Sequence, residues 1–179
     1  MSSFYRQQLE EWLKNYEVKA GLVYDVGGQQ LPVDGRVGKW QVSQYEILDL
    51  PDFDVERKDS KFALLPRADI TFCLETLEYC INPVIAFHNL AVITKPEGKI
   101  IISVPQVYPA HNELDKDSLR LTESGIKRLA ALISRRPTFH YRRDKSGLLK
   151  QFYATDGMRA AKEYPHHDVT GFIVEMVRQ

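Results

Sequence analysis

Apolar residues recur at helical spacing over residues 3–17, where Phe4, Leu9, Trp12, Leu13 and Tyr16 predict an amphipathic first helix. Leu22–Val26 reads as a buried strand broken only by Asp25, and Tyr45–Leu50 as a second strand stopped by Pro51. Between them Pro32, Gly35 and Gly38 leave no room for a regular helix. Phe53-Asp54-Val55 has the composition of a very short edge strand, and Asp69–Leu74 that of a strongly buried one. Asn82 as N-cap and Pro83 at the first helical position open a helix with Val84, Phe87, Leu90, Ala91 and Thr94 on one face. Lys95-Pro96-Glu97-Gly98 reads as the turn that ends it. Lys99–Val104, almost wholly apolar up to Pro105, is the pattern of a central parallel strand covered on both faces. Thr122 caps a further helix whose stripe is Ile126, Leu129, Ala130 and Ile133, with Glu123 favouring its dipole. Thr138–Arg143 and Gly171–Val177 alternate as strands, the last suited to closing the sheet antiparallel. Strand and helix in turn predict a doubly wound α/β domain with helices on both faces of a mostly parallel sheet. The whole chain, residues 1–179, is read as one such domain: a helix over 1–19 and a doubly wound α/β core over 20–179.

Composition narrows the function. Lys plus Arg (24) equals Asp plus Glu (24), so there is no basic excess to make nucleic acid an obligatory partner. The apolar run Ile100–Val104 is far too short to span a membrane, and the charged N-terminus is not a signal peptide. Cys73 and Cys80 lack a C-x-x-C spacing and read as buried thiols in a reducing, cytoplasmic compartment. His166 and His167 are adjacent and so point apart, which predicts no metal site. Arg135, Arg136, Arg142, Arg143 and Lys145 form a basic neighbourhood read as a solvated face.

The segment ADITFCLETLEYCINPVIAFHNLAVITKPEGKIIISVP carries the most specific signal, in the order strand, Leu74–Tyr79 acidic patch, N-P, helix, K-P-x-G and apolar strand. It resembles the class I S-adenosylmethionine-dependent methyltransferases. The loop VPQVYPAHNELDKDSLRLTESGIKRL resembles a subset of the same family. The resemblance spans about residues 20–135 and implies a seven-stranded sheet with an antiparallel last strand, S-adenosyl-L-methionine as cofactor, and a cofactor site at the carboxyl ends of the first strands. Open α/β sheets bind ligands there on physical grounds as well. One departure stands out: Gln29 and Leu31 occupy positions where the family's loop has further glycines. A nicotinamide-dependent dehydrogenase fits less well, because G-x-G-x-x-G opening a helix is absent.

By this resemblance Asp25, Gly27, Gly28, Asp49, Leu74 and Glu75 bind the cofactor. A carboxylate at Asp25 suits a ligand carrying an ammonium and a sulfonium, and Asp49 can accept two ribose hydroxyls. The alternatives are a local backbone cap at Asp25 and a solvated residue at Asp49. Glu75 and Glu78 lie three apart and can pair on one turn, or Glu78 can face solvent. Beyond the fifth strand, Tyr108 and Arg120 are candidates for binding the substrate and His111 for removing its proton. The alternative for Arg120 is an ion pair with Asp115 or Asp117. These readings point to a methyltransferase acting on a small-molecule or sugar-like acceptor, or to a methyltransferase-like binding or scaffold protein that does not catalyse. A homo-oligomer or a protein partner is compatible with either.

Overall fold

A computed structural model describes residues 4–28, 39–58, 60–107, 117–149, 151 and 168–179. The sequence readings at Gln29, Leu31, Pro32, Gly35, Gly38, Tyr108, His111, Asp115, His166 and His167 lie outside the described residues. Helix α1 (Phe4–Asn15) is followed by strands β1 (Val18–Val26), β2 (Trp40–Leu48) and β3 (Ala68–Leu74). Helix α2 (Pro83–Ile93), strand β4 (Thr94–Pro105), helix α3 (Glu123–Leu132) and strands β5 (Arg135–Arg143) and β6 (Val169–Arg178) complete the order. The sheet runs β2-β1-β3-β4-β6-β5. The first four strands pair in parallel, and β6 runs antiparallel between β4 and β5. The antiparallel last strand therefore forms as expected. The described residues make six strands rather than seven.

Side-chain alternation along the central strands divides the core between two faces. Ile100, Ile102 and Val104 of β4 join Phe172, Val174 and Met176 of β6 beneath Phe87 and Leu90 of α2 and Ile126 and Leu129 of α3. Ile101, Ile70, Phe72 and Ile173 point the other way, onto Leu9 and Leu13 of α1. Both helix starts predicted from the sequence form. Asn82 Oδ1 accepts from Ile85 N at 3.2 Å with Pro83 in the first turn, and Thr122 Oγ1 accepts from Gly125 N at 3.2 Å.

Several expectations are corrected. Strand β2 starts at Trp40 and stops at Leu48, and Leu50 is exposed. Phe53 and Val55 form no strand; they turn inward as core residues, with the Phe53 and Phe62 rings 4.3 Å apart. The buried side of α2 is Ala86, Phe87, Asn89, Leu90 and Ile93, while Val84 is exposed. Asn89 rotates this face inward because its Nδ2 donates to the Val55 and Arg57 carbonyls, both at 2.8 Å. Lys95–Gly98 does not separate helix from strand. It lies within β4 as an irregularity, with Thr94 opposite Ala68 and Lys99 opposite Ile70. Arg135 and Arg142, read as solvated, are both buried. No helix among the described residues is long and apolar enough to cross a membrane.

Candidate functional site

The carboxyl ends of β1, β2, β3 and β4 converge on one edge of the sheet, and the acidic candidates gather there. Asp25 lies in β1 opposite Ile47 of β2 and Phe72 of β3. It is buried, and its Oδ2 accepts from the Tyr45 hydroxyl at 2.6 Å. Gly28 passes directly over this carboxylate: a Cβ at position 28 would sit 2.5 Å from Oδ2. Gly27 has φ +75°, donates to the Leu48 carbonyl at 2.8 Å, and lies so close to Thr76 that any Cβ would collide with its side chain. Thr76 Oγ1 in turn donates to the Leu74 carbonyl at 3.1 Å. The two glycines are thus required by the chain's own packing, since they let the loop after β1 lie against the segment after β3. Asp49 follows β2 directly and is half-buried, with its carbonyl accepting from Phe53 N at 3.0 Å.

Leu74 ends β3, and Glu75 follows in the left-handed region at φ +52°. Three bonds to Ser103 hold that conformation: Glu75 N donates to the Ser103 carbonyl at 3.0 Å and to Ser103 Oγ at 3.1 Å, and Ser103 Oγ donates to Glu75 Oε1 at 2.7 Å. Arg142 reaches over from β5, its NH2 2.9 Å from Glu75 Oε1 and 2.7 Å from the Val104 carbonyl.

Glu78 sits in a single 3-10 turn, Leu77–Tyr79, and only 2% of it is exposed. Its carbonyl accepts from Ser118 N and Leu119 N at 2.8 and 2.9 Å, which lays the 117–121 segment over it. Its Oε2 has no hydrogen-bond partner among the described residues. Burial, and then the Glu75 carboxylate, push the Glu78 carboxyl up to about 8, while Arg142 and Arg120 pull the other way. Arg120 forms a two-pronged pair with Asp117, NH2 lying 2.6 Å from Oδ2 and NH1 bonded to Oδ1.

The structure therefore brings Asp25, Gly27, Gly28, Leu74 and Glu75 together along β1 and β3, with Asp49 beside them at the end of β2. Arg120 is paired with Asp117 and acts on Glu78. Ser103, Arg142 and the burial of Glu78 were missed from the sequence. Ser103 had a signal, as the lone hydroxyl in an apolar run; Arg142 had none, being one of several arginines in a row.

No family model matches the chain, and no curated protein matches it by sequence. Solved structures match in shape. A Haemonchus contortus phosphoethanolamine N-methyltransferase 2 in complex with S-adenosyl-L-methionine is 12% identical with a TM-score of 0.58, over 98% of this chain and 52% of that one. A Burkholderia thailandensis 1,6-didemethyltoxoflavin-N1-methyltransferase, with 1,6-didemethyltoxoflavin and S-adenosylhomocysteine bound, is 12% identical with a TM-score of 0.61, over 99% of this chain and 80% of that one. An O-methyltransferase family protein from the same organism is 10% identical with a TM-score of 0.59, over 97% and 56%. The chain spans about half the length of the first and third of these. At such identities the likeness speaks for architecture, and the chain has the fold of the S-adenosylmethionine-dependent methyltransferases.

Proposed function

We propose that the chain binds S-adenosyl-L-methionine at the carboxyl ends of β1–β3 and transfers its methyl group to a small-molecule acceptor. One observation carries the reading. On a methyltransferase fold, the edge where an open α/β sheet takes its ligand holds Asp25, Asp49 and Glu75 within a residue or so of the strand ends. A cofactor bearing an ammonium and a sulfonium is complementary to such a carboxylate-rich edge. In this reading Asp49 takes the ribose hydroxyls, Leu74 packs against the nucleoside, and Gly27 and Gly28 admit the methionine part. When bound, the cofactor supplies an electrophilic methyl group; the residues' contribution is alignment and proton handling.

Calorimetric titration with S-adenosylmethionine and S-adenosylhomocysteine tests this. Both are expected to bind, and Asp49→Ala to weaken binding about tenfold, the worth of roughly one charge-assisted hydrogen bond. Absence of binding by either at millimolar concentration would sink the proposal. The second reading, a methyltransferase-like module that does not catalyse, draws on the Asp25 carboxylate being already engaged by Tyr45 beneath Gly28. It predicts cofactor binding that Asp25→Asn leaves unchanged, with no methyl transfer to any acceptor.

A further inference from the structure

The polar residues at this edge of the sheet form two groups. Asp25, Gly27, Gly28 and Asp49 belong to β1 and β2, while Glu75, Ser103 and Arg142 belong to β3, β4 and β5, with the 117–121 segment lying over Glu78. In the second group, carboxyls outnumber guanidiniums among the described residues. Among the described residues Glu75, Glu78 and Asp117 are set against Arg120 and Arg142. Asp117 pairs with Arg120, and Glu75 with Arg142 and Ser103. That leaves one carboxyl over, and it is the one whose Oε2 is buried with no hydrogen-bond partner among the described residues. Arg142 and Arg120 act on Glu78 without bonding its Oε2, and Tyr79, Cys73 and Cys80 beside it bring no positive charge. A buried carboxyl in that position is neutral unless a cation joins it.

We propose that this second group takes an ammonium-bearing acceptor, an amine of small size, and that Glu78 Oε2 is the atom that receives its proton. The inference rests on the methyltransferase reading for the word acceptor; the cation site itself rests on the charge count and the orphaned oxygen. At rest Glu78 keeps its own proton, in keeping with the upward shift of its carboxyl. Entry of the ammonium displaces that proton to water and leaves a carboxylate–ammonium pair. An N–H bond then breaks, an O–H bond forms on Oε2, and the electron pair left on nitrogen becomes the nucleophile. In this scheme the proton acceptor is Glu78 rather than His111.

The test follows the Glu78 carboxyl directly in the full chain by carbon-13 NMR, its resonance identified by its loss in Glu78→Gln and its displacement in Glu78→Asp. The free chain should titrate near 8. Ethylammonium chloride should lower that midpoint by about one unit or more, as an opposite charge at close range does, whereas ethanol and sodium chloride at the same concentration should leave it in place. A free-chain midpoint in the ordinary carboxylate range, or an ethylammonium effect no larger than that of sodium chloride, overturns the proposal. S-adenosylmethionine added to the same samples separates the two readings. If the cofactor binds but ethylammonium has no effect, this inference alone fails. If ethylammonium shifts Glu78 but the cofactor never binds, the cation site stands and the methyltransferase reading fails.

Discussion

Glu78 couples the site to stability through its proton. Folding raises its carboxyl from 4.5 to about 8. Between those values the unfolded chain has lost the proton and the folded chain keeps it, so the folded state binds more protons and stability falls as pH rises. The contribution is complete below 4.5 and gone above about 8. In Glu78→Gln this slope should vanish: the variant's urea midpoint should change less than the native chain's between about pH 5 and about pH 9. Equal slopes would mean that the carboxyl is solvated. Asp69 has the opposite sign. Lys95 Nζ, 2.6 Å away, and the amides of Leu22 and Gly21 hold its carboxyl below the usual range, so its contribution is present at neutral pH and lost as the pH falls. The E-x-x-E spacing was visible in the chain; that Glu78 lies under the 117–121 segment was not, because the covering residues are about 40 positions away.

At the scale of elements, Lys95–Gly98 is the most instructive segment. Its composition reads as a turn, and the backbone does leave the regular ladder there, yet it remains part of β4. Two contacts keep it in the strand. The Arg135 guanidinium donates to the Lys95 carbonyl at 2.8 Å and to the Gly98 carbonyl, and Lys95 pairs with Asp69. Gly98 lies against β3 so closely that a Cβ would come within 2.7 Å of the Asp69 carbonyl oxygen. Since backbone cannot step aside as a flexible side chain can, Gly98→Ala should destabilise the chain by about 1–3 kcal/mol in urea unfolding. A change within a few tenths would show that the strand relaxes around the methyl group. Sequence reading found Pro96 and Gly98 as punctuation; the partner that decides what they punctuate, Arg135, comes from another element and is read as surface by composition alone.

Across the whole molecule, the sheet is stable only if both faces are covered. Helices α2 and α3 cover one, and among the described residues α1 covers the other through Leu9 and Leu13, each 1% exposed. Leu13→Ala should therefore cost about 2–5 kcal/mol, a large part of the stability of an ordinary domain. The urea midpoint should fall accordingly, and a change below about 1 kcal/mol would mean that α1 is not the cover. What the sequence determined by itself was the class of fold, the antiparallel last strand, the caps at Asn82 and Thr122, and the segment that carries the family likeness. Those features are written in local periodicity and in residues with fixed backbone preferences. The tertiary structure alone decided which face of α2 is buried, that Phe53 and Val55 enter the core, that Arg135 and Arg142 are interior cations, and that Glu78 Oε2 is buried with no hydrogen-bond partner among the described residues. Each of these depends on what another part of the chain brings to within hydrogen-bonding distance, and periodicity holds no record of that.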